Sequence, residues 1–170
     1  MKPQANYLDE CARRKLFLGL CALALLHTGA NISQSYVNYP GWYVFDAASF
    51  KAYHLPMSIR AEVFLMAPRV IELALTLIVL RFRPIAVERW VLIVGCALTA
   101  GGILSTLLIS RPIHAQLDIQ GNTPELVSRL MATDWIRNIM EWFRAGLYIW
   151  VLSRLVNPQL MGKPQEAGRR

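Results

Sequence analysis

Charged residues are scarce in this sequence, and the common signatures of soluble enzymes do not occur in it. Only 17% of the 170 residues are charged, whereas 55% are hydrophobic, and the mean hydropathy of +0.34 is high for a water-soluble fold. The sequence lacks the phosphate-binding motifs GxGxxG and GxxxxGK[ST], the nucleophile motif GxSxG and the zinc motif HExxH. It also has no internal repeat. These absences argue against the common nucleotide-binding, hydrolase and zinc-protease classes, and the composition favours a membrane protein.

Cysteine and histidine are also few, and their spacing indicates no metal site. Three cysteines occur without a CxxC pair, so neither a disulfide framework nor a thiolate zinc site is expected. The Glu-x-x-His pairs of di-iron helical bundles are missing. His27, His54 and His114 could meet only if the segments after the first and third apolar runs fold over one end of a bundle. We therefore predict no metal ligands and assign no cofactor, with a histidine metal site as the alternative.

Four apolar runs predict four membrane-spanning helices. They cover residues 16–34, 61–82, 90–110 and 135–156. Each is about as long as the ~20 residues that cross a ~30 Å hydrocarbon layer as a helix. We predict an all-α fold, a four-helix transmembrane bundle in a single domain over residues 16–156. Residues 1–15 are then a cytoplasmic segment, and the Pro- and Gly-containing residues 157–170 a disordered cytoplasmic tail.

The positions of the basic residues predict the orientation of these helices. The net charge is +7, and the lysines and arginines flank the apolar runs instead of forming a patch with interleaved aromatics. We therefore expect lipid headgroups and no nucleic acid as partners. The positive-inside rule puts both termini in the cytoplasm and the loops 34–60 and 111–133 outside. A cleavable export signal in the first run is the alternative.

Both outer loops carry signals for short interfacial helices. Asp46 is a candidate N-cap for a helix that reaches His54. In the second loop, Thr123, Pro124 and Glu125 form a helix start with Thr as N-cap and Pro at the first helical position. No Pro or Gly follows before Trp135, so the fourth spanning helix is predicted to begin at this point.

Each apolar run carries a polar stripe. The charged members are Glu62, Arg69, Glu72, Asp134, Arg137, Glu141 and Arg144. At 100° per residue, those of the fourth run fall within an arc of about 80°, and those of the second run share a similarly narrow face. A charge at the centre of a lipid-facing helix costs about 2.5 to 3.5 kcal/mol. We therefore predict that these side chains face one another, or a wet cavity, inside the bundle.

The first and third runs have uncharged stripes. The first carries His27, Asn31 and Gln34, and the third carries Thr99, Thr106 and Ser110. Gly95, Gly101, Gly102 and Ser105 offer small surfaces for close contact between helices.

Several stretches resemble a family of small bacterial four-span membrane proteins that is itself largely uncharacterised. They are "VNYPGWYVFDAASFKAYH" with Arg60 after it, "APRVIE", "STLLISRPIHAQL" and "TDWIRNIMEWFRAGLYIW". Asp134 stands where that family usually has Asn, and Arg69 where an apolar residue is commoner. The resemblance implies a multi-pass protein of the bacterial inner (plasma) membrane. More distantly, the layout is similar to anthrone-oxygenase-like membrane proteins, which implies an oxidoreductase.

Two functional hypotheses follow from the buried charges. The first is a membrane enzyme that acts on a small amphipathic or aromatic molecule. Its catalytic residues would be His54, His114 and Asp134, and its substrate-binding residues Arg69, Glu72, Arg137, Glu141 and Arg144. The second is a non-catalytic scaffold or subunit whose charge network fixes the helix register. A transporter is disfavoured, since four spans without repeat symmetry would need a homo-oligomer to form a pathway.

Overall fold

The computed structural model of the protein describes residues 3–156. The helices are α1 (Pro3–Ser33), α2 (Tyr39–Gly41), α3 (Ala47–Ala61), α4 (Ala67–Arg81), α5 (Arg89–Ser105), α6 (Arg111–Gln120) and α7 (Pro124–Val156). π-helical turns lie at Gln34–Asn38, Glu62–Met66 and Thr106–Ser110, and a 3₁₀ turn at Trp42–Val44. The described part of the chain contains no strand. The predicted all-α class is therefore confirmed, and the predicted disordered tail lies outside the described residues.

The helices form four long rods that are broken only at residues 45–46, 82–88 and 121–123. These short connections make consecutive rods antiparallel neighbours. α1 packs against α4 and α7, and α5 packs against the same two helices from the other side. The result is a four-rod bundle with α1 and α5 on one diagonal.

The interior of the bundle has three layers. The first is an apolar cluster near the connection 82–88, which includes Phe17, Leu20, Leu92 and Tyr148. The third is an aromatic and aliphatic cluster near the other two connections, which includes Tyr39, Trp42, Phe50, Ile113 and Leu130. Between them along every rod lie the buried polar and charged side chains. Apolar burial therefore closes both ends of a polar middle layer.

The outside of the bundle is apolar. Side chains such as Leu26, Phe64 and Leu108 are each 72% exposed, which is unusual for a water-soluble surface. Three helical segments are long and apolar enough to cross a membrane, namely Asp9–Val44, Ala47–Arg81 and Arg89–Gln120. This helical bundle with polar side chains inside and apolar ones outside is therefore that of a membrane protein. α7 is about as long, but its charged residues make it less apolar than these three segments.

The predicted outer loops 34–60 and 111–133 are largely helical. Residues 34–44 continue the first rod, and α3 continues through a π-turn into α4, so the predicted short helices are the ends of the long rods. The helix starts are as predicted. Asp46 Oδ1 accepts from Ala48 N and Ser49 N at 3.0 Å each, and Thr123 Oγ1 accepts from Leu126 N at 3.4 Å.

The tight turn at residues 121–123 is hydrogen-bonded to the connection at residues 45–46 and the turn before it. Gly121 has φ +86°, a conformation that side chains with a Cβ rarely adopt. Asn122 Nδ2 then donates to the backbone oxygens of Trp42 and Phe45, both at 2.7 Å. These bonds hold the end of the first rod against the start of the fourth, next to the aromatic cluster.

Candidate functional site: a charged layer and a lateral cleft

Three arginines and three carboxylates form the charged part of the middle layer. They are Arg69, Arg137, Arg144, Glu72, Asp134 and Glu141, and each is at most 5% exposed. Their formal charges cancel. The six side chains come from α4 and α7, while α1 and α5 supply neutral hydrogen-bond partners. The predicted convergence of ionic groups inside the bundle is therefore present, and their roles in binding stay predictions.

The pair farthest from the aromatic cluster is Arg144 with Glu72. Arg144 Nη1 lies 3.1 Å from Glu72 Oε1 and donates to Thr99 Oγ1 at 3.2 Å. Thr99 lies 3.2 Å from the same carboxylate oxygen, and Arg144 Nη2 is 3.5 Å from Thr28 Oγ1. One ion pair thus contacts all four rods.

The second pair, Arg69 with Glu141, crosses the bundle from α4 to α7. Arg69 Nη1 also donates to the carbonyl oxygen of Gly102 and to Thr106 Oγ1, both at 3.1 Å. A Cβ on Gly102 would lie 3.5 Å from the guanidinium group, which is an ordinary van der Waals contact, so the arginine could approach α5 equally closely with alanine at this position. Arg69 is therefore fixed on two sides.

The third pair, Arg137 with Asp134, lies one turn apart on α7. Asp134 accepts from Ser35 and from Asn138 Nδ2, and Asn138 also accepts from Asn31. Arg137 Nη2 is 3.5 Å from the hydroxyl of Tyr39. This pair is consequently held by α1 and lies next to the aromatic cluster.

Glu62 does not belong to the buried network, which corrects its predicted position. Its side chain is 63% exposed and pairs with Arg111 at 3.2 Å on the surface. The physical reason is the π-turn Glu62–Met66, which inserts an extra residue into the helix. One extra residue rotates everything before it by about 100° relative to Arg69 and Glu72.

Two of the three histidines meet, and the third does not. His54 Nε2 is 3.0 Å from His114 Nδ1, and His54 Nδ1 is 2.7 Å from Asp118 Oδ1. The imidazole rings stack with 5.2 Å between centroids. His27 lies in the charged layer instead, 3.9 Å from Glu72 and 3.8 Å from Glu141.

The contacts of His54 and His114 define their tautomers when both rings are neutral. An ionised carboxylate can only accept, so His54 donates to Asp118 through Nδ1 and has a lone pair on Nε2. His114 must then donate to His54 through Nδ1, which leaves its own Nε2 with a lone pair. An Asp–His–His chain of this kind can transfer a proton or stabilise a positive charge at its end.

Aromatic rings enclose this chain. Trp42 lies edge-on to both imidazoles, at 5.1 Å from His54 and 5.8 Å from His114, and Phe50 stacks on His54 at 4.9 Å. Tyr39 is 6.0 Å from His114 and, through its hydroxyl, reaches Arg137. The predicted catalytic residue Asp134 does not contact the histidines directly; Arg137 and Tyr39 lie between them.

A cleft of about 140 Å³ lies between the charged layer and the histidines, partly open at the side of the bundle. Its polar wall consists of Asn31, Gln34, Tyr39, Arg69, His114 and Arg137, and its apolar wall includes Leu65, Met66 and Leu107. Glu62 and Arg111 lie among its lining residues at the surface. We call it the lateral cleft. A second hollow beside it reaches His54 and Trp42 and shares His114 and Ser58.

The three π-turns all contribute to the wall of the lateral cleft. Each is followed by a proline at the first or second position of the next helix, namely Pro40, Pro68 and Pro112. Proline has no backbone N–H, so the helix cannot keep its regular hydrogen bonds in the preceding turn. The wider π-turns accommodate this defect, and π-turns occur often at functional sites.

Two positive charges are close together in the cleft wall. Arg69 Nη1 and Arg137 Nη1 both contact the hydroxyl oxygen of Thr106, at 3.1 Å and 3.4 Å. Like charges at this separation repel each other in a medium of low dielectric constant. An anionic group in the cleft would relieve that repulsion and accept charge-assisted hydrogen bonds.

Asp118 and the π-turns were not identified from the sequence. Asp118 follows His114 by four residues, which is the one local signal for a shared helix face. The partner of both, His54, lies 60 residues before His114, so only the fold brings them together. Within residues 9–156, no three His, Cys, Asp or Glu side chains are grouped so that they could bind a metal ion.

The fold and the site together define a helical membrane protein with a charge-balanced interior and a lateral cleft. Comparisons of the chain with protein-family models, curated proteins and solved structures found no match. The function is therefore inferred from the geometry of the site.

Proposed function

We propose that the protein binds a small amphipathic or aromatic molecule with an anionic group in the lateral cleft, and that His114 exchanges a proton with it. The observation that carries this proposal is the composition of one wall, where Arg69, Arg137 and His114 lie beside an apolar surface. The apolar body of the ligand would contact Leu65 and Leu107. Its anionic group would lie against the two guanidinium groups.

His114 would act as the proton acceptor through Nε2. His54 and Asp118 are its positioning residues, because they fix the tautomer and stabilise the imidazolium that forms. An oxidation of an aromatic molecule, which the resemblance to anthrone-oxygenase-like proteins implies, would be one reaction that needs such proton removal, with dioxygen as the acceptor of the two electrons. Of the other predicted site residues, Arg69 and Arg137 would bind the anion, and Glu72, Glu141, Arg144 and Asp134 would hold them in place.

We propose four spans in the bacterial inner membrane, with both termini in the cytoplasm. α7 would be the fourth span. At 33 residues it is about 50 Å long at 1.5 Å per residue, and it packs between α1 and α5, which hide its charges from lipid. The aromatic cluster and the histidines would then face the outer side.

A single probe, 6-hydroxy-2-naphthoate, tests both parts of the proposal. Its carboxylate should bind Arg137, so Arg137→Gln should weaken binding roughly tenfold or more, since a hydrogen bond to a charged group contributes about 1.5 to 3 kcal/mol. The matched control is Arg154→Gln, because Arg154 is partly exposed and contacts Glu88 at 3.7 Å and the ring of Trp150, neither of which lines the cleft. Affinity is measured by titration calorimetry on protein in lipid nanodiscs.

The phenol of the same probe reports proton transfer. Bound near His114, it should ionise at lower pH than the free probe, which is visible as a red shift in absorbance. His114→Phe keeps an aromatic ring and should abolish that shift. The proposal is refuted if the neutral carboxamide analogue binds equally well, or if the spectrum of the bound probe does not depend on residue 114.

The second candidate is a non-catalytic scaffold, and one observation favours it. Arg144 contacts Glu72 on α4, Thr28 on α1 and Thr99 on α5, so the network joins the rods with no help from a ligand. A scaffold should bind neither the naphthoate nor its amide with any dependence on Arg137.

A further inference from the structure

His27 is a buried histidine whose ring nitrogens have no side-chain hydrogen-bond partner among the described residues, and the backbone of Leu65 is its weak polar neighbour. It is 3% exposed, and its Nδ1 lies 3.9 Å from Glu72 Oε2 and 3.8 Å from Glu141 Oε2. Those two carboxylate oxygens also have no partner within the described part of the chain. Buried polar atoms are rarely left in this state, so three such atoms facing one another indicate a group that changes its protonation.

The balance of charges in the middle layer indicates under which condition His27 would gain a proton. Three arginines and three carboxylates cancel, so the layer is neutral when His27 is neutral. An anion in the lateral cleft would add one uncompensated negative charge to a region of low dielectric constant, which is costly. A proton on His27 would restore neutrality.

We propose that His27 takes up one proton when an anionic molecule binds in the lateral cleft, so that anion and proton bind together as a neutral pair. This inference rests on the proposed function, because it requires an anion in that cleft. It assigns to His27 a proton-binding role that is separate from the Asp118–His54–His114 chain.

Arg69 connects the cleft to His27. It lines the cleft, and its Nη2 pairs with Glu141 Oε1, while the other oxygen of Glu141 faces His27. An anion that shares the charge of Arg69 leaves Glu141 less well neutralised. The imidazolium form of His27 is then favoured, because it lies between two carboxylates.

The other charged groups near His27 set the balance before the anion binds. α4 contributes Arg69 and Glu72, and α7 contributes Glu141 together with Arg137 and Arg144. The arginines oppose a positive charge on His27, and the two carboxylates favour it. The π-turn Glu62–Met66 adds only Glu62, which is exposed and pairs with Arg111. Adding one negative charge to this balanced set therefore favours the proton.

The test uses 2-naphthoate, which has no phenol and so cannot exchange a proton of its own near neutral pH. Titration calorimetry of the protein in nanodiscs, in phosphate and in Tris at one pH, gives the number of protons taken up per naphthoate. We expect up to one proton, and a Kd that rises by up to tenfold per pH unit where free His27 is neutral. The uncharged 2-naphthamide should bind without proton uptake.

His27→Gln keeps a polar side chain and should bind naphthoate more weakly, with no proton uptake and no pH dependence. A second measurement uses the unmodified sequence, in case this variant folds poorly. The ring nitrogens of His27, assigned through correlations to Thr28 in solid-state NMR, should show the imidazolium signature only after naphthoate is added.

The possible results separate a failure of the coupling to His27 from a failure of the binding site itself. If naphthoate binds with no proton uptake, or if uptake persists in His27→Gln, the coupling to His27 is wrong and the cleft remains a binding site. If naphthoate does not bind at all, the proposed function fails and this inference fails with it.

Discussion

Replacing Arg144 with methionine should destabilise the bundle strongly, because it leaves Glu72 buried with no cation. Arg144 is 1% exposed and Glu72 is fully buried, and their charged atoms are 3.1 Å apart. Removing one partner of a buried pair costs about 3 to 5 kcal/mol, which is a change of two to three orders of magnitude or more in the unfolding equilibrium. The neutral partner that remains hydrogen-bonded to Glu72, the hydroxyl of Thr99 at 3.2 Å, supplies much less than a cation would.

The assay is reversible unfolding in mixed micelles, followed by near-UV circular dichroism. Arg154→Met is the control, because Arg154 is a partly exposed cation on the same helix with a loose ion pair at 3.7 Å, and its loss should cost only about 0 to 1 kcal/mol. The double variant Arg144→Met with Glu72→Leu should recover most of the lost stability, since an apolar pair of similar volume avoids burying any charge. If Arg144→Met costs no more than Arg154→Met, the middle layer is not sheltered from water.

The remaining predictions concern close packing and a helix cap. Gly95→Ala would place a Cβ 2.2 Å from the hydroxyl of the buried Tyr148, and we expect a loss of about 1 to 3 kcal/mol in the same unfolding assay. Gly29→Ala, with nothing within 4 Å of the new Cβ, should instead stabilise the helix by about 0.5 to 1 kcal/mol. Asp46→Ala should speed amide hydrogen exchange at the start of α3. Hydrogen bonds from Ser49 lower the pKa of Asp46 in the folded protein. The stability that this cap contributes is therefore fully present at any pH above the pKa of Asp46 in the unfolded chain, and it is lost as the pH falls through the lower pKa of the folded protein.

The long helices and the inward polar stripes could be predicted from the sequence, because both depend on local periodicity. Asp134, Arg137, Glu141 and Arg144 share one face of an uninterrupted α-helix, and all four are buried. The energetic cost of charge in lipid then leaves the interior as their only place. The same reasoning placed Arg69 and Glu72 correctly, since both lie on the regular part of α4.

Glu62 lies on a different face from the one that regular helical periodicity predicts. A face calculated at 100° per residue is valid only while the helix stays regular, and the π-turn before α4 changes the phase. A sequence signal was available in hindsight. Pro40, Pro68 and Pro112 each lie just after a π-turn inside a helical stretch. Pro56 lies in regular α-helix, so a proline inside a helical stretch is a partial signal for such a turn.

The site at His54 could not be derived from spacing, because it depends on tertiary contacts. Its closest partners outside its own rod, His114 and Asp118, are 60 and 64 residues away along the chain. They meet because α3 and α6 lie side by side at the ends of two rods, and this packing is not visible in the spacing of the residues. The burial of the charged side chains could thus be predicted from the sequence, whereas the contacts of the Asp118–His54–His114 chain could not.

The most direct test of the account is a distance measurement between a bound anion and the two buried guanidinium groups. ¹³C-carboxyl-labelled 2-naphthoate and ¹⁵N-arginine-labelled protein in lipid bilayers can be examined by rotational-echo double-resonance NMR. We expect dephasing from guanidinium nitrogens within about 4 Å, the range of a charge-assisted hydrogen bond, and its loss in a chain with both Arg69→Gln and Arg137→Gln. A signal that persists in that chain and disappears with Arg111→Gln would place the anion at the surface and contradict a binding site inside the bundle.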